Sequence, residues 1–233
     1  MKPDVIVSWP RSCDYPLWRA FIERERQRFG EVIVVFTEHE GRDLSGFVRA
    51  NFSATFLDSP PVGDRDWRDV AVNAALDRSH ADWVWFTEQD FIIHDPQRFW
   101  AAVDYACWED AIGIAEPISG RWHPACLFVR RAVIERRTER YFGPDPIDHF
   151  TRFGRQLGNV YDLELQGDLI TAPKHIDFEH LQGVSQNAWL ISQGEDIGVF
   201  RRPRYQEYLR DCLRCGMALD EQWADMALLE TAV

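Results

Sequence analysis

No stretch of the 233 residues approaches the ~20 consecutive apolar positions of a membrane-spanning helix. Positive charge is scarce: 26 Lys and Arg stand against 38 Asp and Glu, for a formal net charge of -12. Such a surface repels nucleic acid and anionic membranes at long range, while still permitting a local basic groove. It suits a protein that holds a divalent cation among carboxylates. Cysteine is sparse and odd in number, at Cys13, Cys107, Cys126, Cys212 and Cys215. The opening MKPDVIVSW is too short and too acidic for a secretory signal, so reduced thiols in a cytoplasmic protein are expected. Cys212 and Cys215 lack a second Cys/His pair nearby, which argues against zinc. There is no Gly-x-Ser-x-Gly elbow, no Walker loop, no internal repeat and no low-complexity tract.

What is abundant is aromatic: 13% of the chain, with 10 Trp. Trp serves cores and flat-ring pockets alike. DVIVSW (4–9) and EVIVVFTE (31–38) read as strands, the second apolar enough to be buried on both faces. Between them, Tyr15, Leu17, Trp18, Phe21, Ile22 and Phe29 recur at helical spacing until Gly30. This is a βαβ unit. Residues 39–53 are polar and carry no clear pattern, and 54–58 suggest a short strand. A helix is expected over 66–79, with a small-residue face at Val70, Ala71, Ala74 and Ala75, then a strand ADWVWFTEQD, a helix over 96–108, and strands at 111–117 and 123–131. Helices over 131–140 and 147–158 and strands over 160–166 and 168–181 complete the pattern. It predicts one α/β domain over 1–195, a mixed but mainly parallel sheet flanked by helices, with a helical C-terminal extension over 196–233.

Within WVWFTEQD an apolar strand runs directly into Glu88 and Asp90. Ligands of open α/β sheets gather at the carboxyl ends of the strands. Two carboxylates one residue apart can address one hard cation, Mg²⁺ or Mn²⁺, and leave positions open for a diphosphate. The plainer reading is a solvated strand end.

In this order of elements the chain resembles the GT-A glycosyltransferases, particularly the family 2-like group, over roughly residues 4–190. Glu88-Gln89-Asp90 corresponds to the family's Asp-x-Asp metal motif, with Glu in the first place. The resemblance implies a Rossmann-like nucleotide-binding half, a Mn²⁺ or Mg²⁺ cofactor and a nucleotide-sugar donor. It implies Asp90 as the direct metal ligand, joined by Glu88 and by His180, which precedes Gly183 and Ser185; His175 and Glu179 are substitutes. Ser8, Trp9, Pro10, Arg11 and Asp14 match the first strand-to-helix loop, which holds base and ribose; Trp9 in the core beside a capped helix is the competing reading. Asp148, with Asp145 as fallback, matches the catalytic base that opens a helix, where either acid would also serve as a cap. Arg121, Trp122 and His123 match the acceptor side, and Arg201, Arg202 and Arg204 are read as balancing nearby acids.

The expected activity is transfer of a sugar from a nucleoside diphosphate to an acceptor hydroxyl, with inversion if Asp148 is the base. A nucleotidyltransferase is the first rival, weakened because SWPRSCDYP lacks the Gly-rich phosphate loop. A non-catalytic nucleotide- or sugar-binding module is the second. The acceptor is left open among a saccharide, a protein side chain, a lipid-linked sugar and a hydroxymethylated DNA base.

Overall fold

A computed structural model describes residues 1–11, 14–37, 43–58, 67–89, 91–116, 121–136, 160–163 and 178–180; for 67–71, 115–116, 121–124 and 178–180 it describes the backbone alone. Among the described residues nine strands and five helices follow one another: β1 (Asp4–Pro10), α1 (Pro16–Arg24), β2 (Val32–Thr37), α2 (Ser45–Asn51), β3 (Thr55–Asp58), α3 (Trp67–Arg78), β4 (Trp83–Thr87), β5 (Phe91–Ile93), α4 (Pro96–Tyr105), β6 (Ala111–Glu116), β7 (Arg121–Arg130), α5 (Arg131–Glu135), β8 (Val160–Asp162) and β9 (Phe178–His180).

Seven strands form one sheet in the order β3-β2-β1-β4-β7-β6-β8, and β5 pairs with β9 in a separate small sheet. β1, β2, β3 and β4 run parallel. β7 runs against both of its neighbours, β4 and β6, and β8 is parallel to β6. The mainly parallel mixed sheet expected from the sequence is therefore the one observed.

Alternation along each strand divides the core into two layers. On one face Val5, Val7, Val34, Trp85 and Phe128 pack with Trp18 and Ile22 of α1, Val48 of α2 and Phe99 and Trp100 of α4. On the other, Ile6, Ile33, Val35, Val84 and Phe86 meet Val72, Ala75 and Leu76 of α3 and Val133 and Ile134 of α5. The small side chains of α3 let it lie close over β1 and β2. Trp85 anchors the first layer. Its ring stacks on Phe128 at 5.1 Å and on Phe29 at 5.6 Å, contacts worth about 1 kcal/mol each beyond area burial. Cys107 and Cys126 are free thiols, and burial pushes the Cys126 thiol above its ordinary range.

Helix starts follow local chemistry. Pro16 and Pro96 occupy the first turns of α1 and α4. Asp95 caps α4 by accepting from the Arg98 N–H at 3.1 Å.

The structure departs from the expected boundaries in several places. The helix read over 14–29 ends at Arg24 and gives way to a 3-10 turn, Arg26–Arg28, where Arg28 N–H bonds Glu25 O at 2.8 Å. The unpatterned stretch 39–53 contains α2, seven residues long and buried through Val48. The strand read through residue 90 stops at Thr87, because Phe91 N–H bonds Glu88 O at 3.2 Å and closes a turn before β5. The expected helix over 147–158 and the extension over 196–233 lie outside the described residues.

Candidate active site

The parallel strands β1, β2, β3 and β4 deliver their carboxyl ends to one edge of the sheet, and antiparallel β7 begins there. Ser8, Pro10 and Arg11 end β1, Asp58 ends β3, and Thr87 ends β4 just before Glu88. Asp162, at the end of β8, is buried.

Arg11 is the hub of the β1–β3 side. It donates to Asp58 Oδ1 at 2.6 Å and to Ser45 Oγ at 3.2 Å, and pairs with Asp43 at 3.5 Å. Its main chain bonds Thr37 O and the Leu44 N–H, and its guanidinium lies 5.6 Å from the buried Phe36 ring. Arg49 grips the same Asp58 oxygen at 2.8 Å. The Ser45 hydroxyl and N–H, and after them Arg11, hold the Asp43 carboxyl below its ordinary value. Sequence reasoning named Arg11 but missed Asp43, Arg49 and Asp58; acids or guanidiniums at strand ends were the signal available.

Two residues proposed for the nucleotide loop have other surroundings. Trp9 is 0% exposed, its ring 5.4 Å from Tyr15 and 5.5 Å from Trp18. It is a core residue with no open face for a base, because position 9 points into the layer beneath α1. Asp14 is likewise fully buried, its two oxygens accepting from Arg19 at 2.8 and 2.7 Å. Arg19 also donates to Asn51 O at 2.7 Å, so this pair ties α1 to the end of α2. Ser8 is half-buried and Pro10 buried at the edge itself.

On the β4 side, Glu88 is half-buried. Its N–H bonds Ala125 O of β7 at 3.4 Å, and its carbonyl accepts from Phe91 N–H and from the Thr87 hydroxyl at 3.3 Å. Gln89 is buried, and its side-chain amide donates to Ser8 O. Asp90 lies outside the described residues; its chain neighbours Gln89 and Phe91 are both described. β5 pairs antiparallel with β9 in the register Phe91↔His180, Ile92↔Glu179, Ile93↔Phe178. The backbone of His180 is thus brought opposite the residue that follows Asp90, although 89 positions separate His180 from Phe91 in the chain. Among the described residues no group of three His, Cys, Asp or Glu is gathered as a metal cluster.

β7 and β6 place Arg121 opposite Glu116 and Trp122 opposite Ala115, with a bulge between this register and Gly113↔Leu127 that contains His123. Asp145, Asp148 and His175 lie outside the described residues, as do Arg201, Arg202 and Arg204. Among the described residues no helix is long and apolar enough to cross a membrane.

No family model matches the chain, and no curated protein does. Solved structures do. TarS 1-349 from S. aureus superposes with a TM-score of 0.52 at 16% identity, covering 70% of this chain and 58% of that one. The mannosyltransferase PcManGT from Pyrobaculum calidifontis, solved in complex with GDP-Man and Mn²⁺, superposes with a TM-score of 0.53 at 15% identity, covering 100% of this chain and 80% of that one. The fold is GT-A-like. A longer TarS structure agrees, with a TM-score of 0.52 over 91% of this chain and 43% of its own. At such identities the likeness is one of architecture.

Proposed function

We propose that the protein is a metal-dependent glycosyltransferase that moves a sugar from a nucleotide-sugar donor to an acceptor hydroxyl, with inversion at the anomeric carbon. One observation carries the reading. β4 of a GT-A-like sheet ends in the turn that bears Glu88, and the β5–β9 register brings His180 opposite the residue after Asp90. Two carboxylates and an imidazole form a donor set that fits Mn²⁺, and with less favour for the imidazole Mg²⁺. Asp90, His180 and Glu88 would hold the ion. When bound, it supplies positive charge that offsets the charge developing on a diphosphate leaving group. The mannosyltransferase of like fold, solved with GDP-Man and Mn²⁺, supports this reading.

The remaining roles belong to side chains. Ser8, Pro10 and Arg11 line the β1 end, where the nucleotide would lie. Asp148, or Asp145 in its place, takes the acceptor's hydroxyl proton as the new oxygen–carbon bond forms and the bond to the nucleoside diphosphate breaks. Arg121, Trp122 and His123, at the start of β7, would meet the acceptor, Trp122 by stacking on a sugar face.

The test is a thermal-shift panel of nucleotide sugars with Mn²⁺ or with EDTA. A matching donor at a hundred times its Kd adds about 2.7 kcal/mol, a rise of roughly 5–10 °C for a chain of this size. The rise is expected only with Mn²⁺, and Asp90→Asn is expected to lose it while keeping its own melting point. A rise that survives EDTA removes the metal; no rise with any nucleotide sugar removes the reading.

A further inference from the structure

The residue between the two acids has its own task. Val5 N–H bonds Glu31 O at 2.8 Å and Arg11 N–H bonds Thr37 O at 3.2 Å. Odd-numbered residues of β1 therefore turn their peptide groups toward β2, and even-numbered ones toward β4. The β1–β4 register stops at Val7↔Thr87, while β1 runs on beside β2 to Pro10↔Thr37. The Ser8 carbonyl thus faces β4 one step beyond its last paired residue, Thr87, where that strand has already turned away; the Glu88 N–H is no substitute, since it faces the other side and bonds Ala125 O of β7. Left alone, that carbonyl would be an unsatisfied acceptor at a mostly buried place. The Gln89 side chain, 7% exposed, folds back and donates to it.

We propose that Gln89 is a positioning residue, whose side-chain amide replaces the missing cross-strand bond and fixes the acidic turn to the end of β1. The turn is then held from two sides, by Glu88 N–H to β7 and by Gln89 to β1. The strand end that would meet the nucleotide and the turn that carries Glu88 share one frame. Without that bond the turn must be ordered at the moment of metal binding, and affinity falls accordingly. Outer hydrogen-bond partners of metal ligands typically matter by about 10–100-fold in metal affinity. The inference rests on the glycosyl-transfer reading above.

The experiment is calorimetric titration of Mn²⁺ into the protein with UDP or GDP present, and of UDP or GDP in EDTA, for the wild type and Gln89→Met. Met keeps length and volume and removes the donor. Expected is a Mn²⁺ affinity weakened about tenfold or more, with metal-free nucleotide affinity unchanged within twofold. A folded Gln89→Met with wild-type Mn²⁺ affinity overturns the positioning role. Should that variant not fold, Gln89→Asn, which keeps an amide one methylene short of Ser8, is put through the same titrations and judged by the same split. Equal loss of both affinities marks a merely structural residue and also overturns the role. If the wild type itself shows no Mn²⁺-dependent nucleotide binding, the glycosyl-transfer reading fails first and this inference with it.

Discussion

At the amino edge of the sheet Asp4 is 5% exposed, and its carboxylate accepts from Glu31 N–H at 2.6 Å, Ser79 Oγ at 2.8 Å, and the N–H groups of His80 and Ala81 at 3.2 and 3.3 Å. At the carboxyl edge the side chains of Asp43 and Asp58 stand 59% and 57% exposed, Asp43 held by Ser45 and Arg11 and Asp58 by Arg11 and Arg49. The same functional group thus does two jobs at the two ends of one strand layer. Asp4 is enclosed by main chain so closely that a Cβ on Gly30 would run into its carboxylate, which is why glycine stands there. Such a carboxylate is spent on the fold. The acids of the other edge are held mostly by side chains and remain open to solvent.

The comparison is tested most severely by Asp148→Asn, since the proposed function gives that acid the proton transfer. Turnover is expected to fall by roughly 10²–10⁴ while donor binding persists; unchanged turnover reduces Asp148 to a helix cap. Next is Asp4→Ala, which orphans several buried donors at once. A loss of about 3 kcal/mol in urea unfolding is expected, and a loss under 1 kcal/mol would mean that water satisfies the amino edge. His180→Ala is expected to weaken Mn²⁺ binding about tenfold with little change in melting point, whereas unaltered binding makes β9 a purely structural strand.

The smallest effect is at Asp43. Its folded-state pKa is lowered by the Ser45 hydroxyl and N–H and then by Arg11, so its contribution to stability is present above the unfolded pKa and is lost as pH falls through the folded one. The Asp43→Asn variant is expected to unfold slightly earlier than the wild type at pH 7, with the gap closing below the ordinary Asp value of 3.8. Its exposure keeps the gap small.

Strands β1, β2 and β4 were legible because uninterrupted apolar runs such as VIVVFT bury on both faces. α1 and α4 were legible because proline marks their first turns and aromatics recur along one side. α2 was not, since seven residues with Val48 alone fully enclosed carry too little periodicity. The fate of Trp9 and Asp14 was equally hidden. Whether an aromatic or an acid near a strand end faces ligand or core depends on partners elsewhere in the chain, such as Arg19 five residues beyond Asp14 and Phe52, 43 residues beyond Trp9. At the site, the position of Glu88 followed from the strand it ends, and His180 from family likeness. The register that brings His180 to β5 is a long-range pairing that no local pattern encodes. Gln89 escaped notice because a side chain standing in for a backbone donor leaves no trace in composition or spacing.

The reversed direction of β7 divides the rim of the molecule by origin. On the β1–β4 half, each loop departs from a strand already locked in a parallel ladder; on the β7 half, the chain leaves β6 at Glu116 and enters its antiparallel neighbour β7 at Arg121, so one short connection is both departure and arrival. Lengthening or shortening that connection leaves the loops that depart from β1, β2, β3 and β4 untouched. On the proposed reading the wall beside β7 could therefore be remodelled for new acceptors while the opposite wall keeps its shape, a separation that would let engineers vary one specificity at a time.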